Sequence, residues 1–174
     1  MRIQYELFPV DSQEMLSREK FEIRNIGYDK NYRTDYGIHP RDTYFIYRTG
    51  GINRYLKHMG PVFPYIKNEK TGNVLSMCST STDHYVRTNL KCEEGSGQTG
   101  KVCRIHRVAA FAFIKNPDPK KFTMVNHKDG NVLNYRLDNL EWISPSGNLK
   151  GINKLGKKYT QRQKILEMKG SIFT

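Results

Sequence analysis

The residues from Met124 to Asn148, MVNHKDGNVLNYRLDNLEWISPSGN, constrain this chain more than any other segment, since they hold five asparagines, one histidine and the only tryptophan. Val125, Asn126 and His127 close a short apolar strand. Asp129-Gly130-Asn131 then marks a turn, because glycine and asparagine accept the positive φ that tight turns require. Leu140 to Ile143 reads as a second strand, with Leu140 and Trp142 alternating against Glu141 at the period of a half-buried strand. Ser144-Pro145-Ser146 opens a helix: a hydroxyl residue suits the N-cap, and proline suits the first helical position, where no amide hydrogen is needed. The order strand, polar loop, strand, helix puts Asn126 and His127 at one strand end and Asn148 in the first helical turn, close enough to share a ligand.

His127, Asn139 and Asn148, framed by Asn126-His127-x-Asp129-Gly130-Asn131 and by Asp138-Asn139-Leu140-Glu141-Trp142, resemble the HNH nuclease motif, in the variant whose final histidine is asparagine. The match is to the HNH homing endonucleases of phages and introns. Upstream, Arg104 to Phe113 followed by Asn116-Pro117 is similar to the segment that precedes the catalytic hairpin in that family. Downstream, Pro145 to Asn148 leading to Gly156 resembles the family's usual ending. The likeness covers residues 60 to 156 and leaves the first 58 outside it. It implies an α+β chain with a ββα-metal hairpin and helix, an adjacent small antiparallel sheet and an N-terminal extension. The expected division is an extension at 1–58, a nuclease domain at 59–156 and a basic helical tail at 157–174.

With 174 residues, the chain can form one sizeable core or two small ones, at about 100 to 200 residues per domain. Its net charge of +12 is the electrostatic footprint of a protein that meets a polyanion. An anionic membrane would also answer to charge. No apolar run approaches about 18 residues, and basic residues alternate with tyrosines, so double-stranded DNA is the expected partner. Cys78, Cys92 and Cys103 are an odd set with no Cys-x-x-Cys pair, which argues against a disulfide framework or a structural zinc and favours an intracellular, reducing setting.

Pro9 to Glu14 reads as a helix start, with Met15, Leu16, Ile23 and Ile26 as an apolar stripe ending at Gly27. Tyr28, Tyr32 and Tyr36 recur at helical spacing, either as a face toward DNA or as rings packed on the core, the latter being the commoner meaning of such spacing. Thr43 to Tyr47 reads as a strand that Thr49-Gly50-Gly51 breaks. Pro64-Tyr65-Ile66 and Val74 to Met77 flank a turn-rich loop and suggest a hairpin. Tyr85 to Lys91 alternates, with Arg87, Asn89 and Lys91 on one face, and a flexible loop, Glu93 to Gly100, joins it to a strand from Lys101 to Ile105. In the family such a sheet helps hold DNA; support of the catalytic hairpin alone is an equal reading. His106 to Ile114 reads as a buried helix, with His106 a structural residue outside the chemistry and Arg107 a phosphate contact. The tail from Leu149 carries seven Lys or Arg, among them Lys150 and Lys154, against one acid, Glu167, and is expected to touch phosphates. Thr160 with Gln163 reads as a capping box for a helix ended by Gly170.

Phosphodiester hydrolysis needs an activated water, charge on the phosphate and help for the leaving oxygen. Histidine, with an ordinary pKa of about 6.5, is partly neutral at cellular pH, so His127 is the expected general base. Asn126 and Asn148 offer hard carbonyl oxygens for one Mg²⁺ or Mn²⁺ ion. Asp129, in the turn, is a less favoured ligand. Family resemblance implies that Asn139 braces the loop and aims His127. Arg87, Arg107, Lys128, Arg136, Lys150 and Lys154 are the expected DNA contacts. Related nucleases often carry aspartate where Asn126 stands. A site of two neutral asparagines implies weak metal binding until a DNA phosphate completes it. One active site per chain suggests a nicking monomer. The alternatives are a DNA-binding or packaging accessory that keeps the frame without cutting, and a basic RNA-binding protein, for which no aromatic RNP-like motif speaks.

Overall fold

The computed structural model describes residues 18–25, 40–82, 84–95 and 100–147. The helix start near Pro9, the tyrosines at 28, 32 and 36, Asn148, Lys150, Lys154 and the helix ended by Gly170 lie outside them. Three antiparallel sheets follow in chain order. The first joins β1 (Lys20–Glu22), β2 (Tyr44–Gly51) and β3 (Phe63–Asn68), the second β4 (Arg87–Lys91) and β5 (Gly100–Arg104), and the third β6 (Met124–His127) and β7 (Leu140–Ile143). Helix α1 (Ile105–Phe113) follows β5 directly and packs against β2, β5 and β7. The fold is the expected mix of small antiparallel sheets with a hairpin leading into a helix.

Local sequence explains the elements that carry the hairpin. Ile105 to Phe113 is apolar on nearly every side, so the helix is buried all round, Phe111 alone being partly open. Its last turn closes with the Ile114 amide on Ala110 O at 2.9 Å, and Asn116-Pro117 ends it. The core runs through Ile46, Phe63 and Ile66 of the first sheet, Leu90 and Cys103 of the second, Ala109 and Phe113 of α1, and Val125 and Leu140 of the hairpin. Three polar ties fix the hairpin to this frame. Asn53 Nδ2, fully buried, donates to Leu133 O at 2.7 Å. Trp142 Nε1 donates to Ile114 O at 2.9 Å, and the Arg107 guanidinium reaches Thr123 O at the entrance to β6.

Three expectations change. Lys20 to Glu22 pairs with β2 as a strand, so a helix does not run through to Gly27. Gly50-Gly51 does not end β2; the strand runs through both with a register shift against β3. Gly50 takes a φ of 104°, and a Cβ on Gly51 would stand 2.8 Å from Phe63 O, so the pair serves a bulge and a close strand approach. The segment Val74 to Met77 makes only a bridge from Val74 to Lys67 and the Leu75 amide bond to Ile66 O. Asn68 takes over that turn, its Oδ1 accepting the Lys70 amide at 2.9 Å. β2 and β3, which lie on either side of residue 58, are hydrogen-bonded neighbours in one sheet.

Candidate functional site

The hairpin has the expected strands, and its register pairs Met124 with Ile143, Val125 with Trp142, Asn126 with Glu141 and His127 with Leu140. Successive residues of a strand point to opposite faces. Val125 and His127 accordingly turn inward, while Met124 and Asn126 are half open. Asn126 and His127 therefore share the strand end and not one face. The loop between the strands is closed by its own side chains. Asn139, 9 % exposed, donates from Nδ2 to Asp129 Oδ1 at 2.9 Å and to Asn134 O at 2.8 Å, and its Oδ1 accepts the Asp129 amide at 3.1 Å. Its carbonyl accepts the Lys128 amide at 2.7 Å. Asp129 also accepts the Asn131 amide at 2.8 Å and Asn134 Nδ2 at 2.9 Å, so its carboxylate is spent within the turn. Asn131 and Asn134 serve the turn too, accepting the amides of Leu133 and Arg136. Gly130 takes a φ of 75° there, and its amide bonds to His127 O at 2.8 Å. Every one of these bonds fixes the backbone that follows His127.

His127 itself is 5 % exposed and sits in an aromatic cluster. Its ring centroid lies 4.9 Å from that of His106 and 6.0 Å from that of Tyr85, and Tyr85 stacks on His106 at 4.7 Å. Burial, and after it the neighbouring His127, Arg107 and Arg104, holds the His106 pKa well below the ordinary range, so that imidazole stays neutral. His106 thus remains outside proton chemistry while forming one wall of the His127 site. Tyr85 is the other wall. The sequence signals neither contact, because both partners are distant in the chain and lie on other elements.

The expected metal oxygens divide. Asn148 lies outside the described residues. Asn126 donates from Nδ2 to Glu141 Oε1 at 2.9 Å across the hairpin. The face is therefore not neutral, as two asparagines alone would make it, because a carboxylate stands beside Asn126. Carboxamide and carboxylate oxygens are hard donors, a set that fits Mg²⁺ or Mn²⁺. Among the described residues no group of three His, Cys, Asp or Glu gathers into a ligand cluster. Ser144 Oγ accepts the Gly147 amide at 3.1 Å, the expected N-cap of the helix begun at Pro145.

The expected DNA contacts stand on different ground. Lys128 is exposed at the hairpin end, and Arg87 is half buried on β4. Arg136 pairs with Asp138 at 3.1 Å on the surface. Arg107, expected as a phosphate contact, is 8 % exposed, and its guanidinium lies within 3.4 Å of Thr123 O at the entrance to β6.

Comparison with known proteins agrees with this geometry. No protein-family model matches the chain. Two curated relatives, both described as uncharacterized HNH endonucleases of Acanthamoeba polyphaga mimivirus, are 36 % identical over 98 residues and 38 % identical over 100 residues, or 56 % and 58 % of this chain. The chain spans 23 % and 28 % of their own lengths. Among solved structures, the HNH homing endonuclease I-HmuI, described as binding and cleaving DNA, matches with a TM-score of 0.51 and 23 % identity, over 88 % of this chain and 68 % of that one. The fold is that of an HNH homing endonuclease. The chain is thus similar to HNH endonucleases in sequence over a little more than half its length, and in fold to a solved one.

Proposed function

We propose that the protein is a metal-dependent DNA endonuclease of the homing type, encoded by a phage or another mobile element, that nicks or cuts double-stranded DNA inside the cell as a monomer. The observation that carries this reading is the hairpin loop whose hydrogen bonds converge on Asn139 and fix the chain around His127. The charge of +12 and the exposed Lys128 suit a DNA backbone. Lys150 and Lys154 belong to the same proposal, as do Arg87 and Arg136. The names of the mimivirus relatives and of I-HmuI add support.

A divalent ion, Mg²⁺ or Mn²⁺, would supply positive charge to the scissile phosphate and the leaving oxygen when bound. Asn126 and Asn148 would hold it through their carbonyl oxygens. His127 takes the proton of the attacking water on an imidazole nitrogen. Asn139 holds the loop and Arg107 the strand entrance, so the imidazole needs no reordering when DNA arrives. The test is supercoiled plasmid incubated with the full chain and Mg²⁺ or Mn²⁺. Nicked circles should form, EDTA should abolish them, and His127→Ala should slow their appearance by about 10²- to 10⁴-fold. If wild type leaves both plasmid and a substrate bearing its genomic insertion site intact, the reading fails. A second reading, a DNA-binding accessory that keeps the frame without cutting, draws on the burial of His127, which leaves water a narrow approach. The same assay decides it, since an accessory shifts DNA in a gel without nicking it.

A further inference from the structure

Glu141 has no catalytic or ligand role in the mechanism above, yet the register sets it directly opposite Asn126. We propose that Glu141 is the anionic group of the divalent-cation site. Its carboxylate supplies the formal charge that Asn126 lacks, and its hold on Asn126 Nδ2 turns the carbonyl oxygen of that carboxamide toward the ion. The inference rests on the nuclease reading above.

Two observations carry it. The hydrogen bond from Asn126 Nδ2 to Glu141 Oε1, at 2.9 Å, occupies the nitrogen end of the carboxamide and leaves the oxygen end for another partner. In a chain of net charge +12, no described lysine or arginine pairs with Glu141; the ion pairs join Arg24 to Glu93, Lys70 to Asp42 and Arg136 to Asp138. A half-buried carboxylate next to a carboxamide, without a basic partner, is poised for a cation.

The test is a titration of the full chain with Mn²⁺ alone, without DNA, following the loss of the free-ion electron paramagnetic resonance signal. Wild type should take up the ion. Glu141→Gln keeps the shape and an oxygen to accept from Asn126 but loses the charge, and should weaken uptake about 10- to 100-fold. Asn126→Asp added to Glu141→Gln returns a carboxylate to the same face and should restore it; circular dichroism melting confirms that each variant folds. If Glu141→Gln binds Mn²⁺ as wild type does while wild type nicks plasmid, the inference fails and the nuclease reading stands. If wild type takes up no Mn²⁺ without DNA, the inference also fails, because an anionic site should bind without a phosphate. If wild type shows no metal-dependent nicking, both fall together.

Discussion

Asn139 is the residue on which the hairpin loop turns. One side chain donates twice and accepts once, and the carbonyl of the same residue accepts the Lys128 amide. Buried polar groups left without partners cost more than the net worth of the bonds they had made, and Asn139→Ala would take away the partner of the Asp129 amide and that of the Asn134 carbonyl. The expected loss is about 1–3 kcal/mol, read as a lower urea midpoint, together with slower nicking. Asn139→Asp is the sharper variant. It keeps an oxygen for the Asp129 amide but removes both donors and sets a second carboxylate against Asp129, so it should be no more stable than the alanine form. A midpoint equal to wild type in either variant would show that the loop is held by other means.

Among the elements, β2 shows how a local signal can be present and still point to the wrong structure. Gly50-Gly51 looks like a strand break, since glycine costs backbone entropy within a strand and frees the chain to turn. In the folded protein β2 pairs on both edges, with β1 and with β3, and the glycines permit the bulge that the β3 register demands. Gly51 is the stricter of the two. A Cβ there would lie 2.8 Å from both Phe63 O and Tyr65 Cβ, backbone and side-chain root, neither of which can swing away. Gly51→Ala should therefore cost about 1–3 kcal/mol. Gly100→Ala is the matched control: its Cβ would meet Leu90 O at 3.5 Å, an ordinary contact, and stability should change by no more than about 0.5 kcal/mol. Thermal melts of the two variants beside wild type would test this, and equal melting temperatures would contradict it.

Across the whole molecule, the sheets, α1 and the hairpin share one core, so ionising a group within it should be felt everywhere. Burial pushes the Cys103 thiol from 9.0 up to about 12, and burial, followed by the Tyr55 neighbour, raises the Tyr135 hydroxyl above its ordinary value. Both groups are easier to deprotonate in the unfolded chain than in the folded one. A raised folded pKa contributes stability that is complete below the unfolded value and is lost as pH climbs through the folded value. Stability should thus hold to about pH 9 and fall between 9 and 12. Urea midpoints at pH 8, 10 and 11 should decline in that order, and Cys103→Ala should flatten the slope; a level series would refute the assignment.

Much of the site was legible in the sequence because its signals are local. Asp129-Gly130-Asn131 marks the turn, the alternation around Trp142 the half-buried strand and Ser144-Pro145 the helix start, so the hairpin follows from residues a few positions apart, while the bracing role of Asn139 follows from the family resemblance. Helix α1 was legible for the same reason, through its continuous apolar run. What only the tertiary structure decided depends on registry and burial between distant segments: β1 and β2 joining β3 across residue 58, Tyr85 and His106 enclosing His127, Arg107 turning inward, and Glu141 standing opposite Asn126. A one-residue slip in a strand pairing exchanges its faces, and no local pattern fixes that choice. The charge beside Asn126 is therefore a product of the fold, set by the pairing of two strands fifteen positions apart.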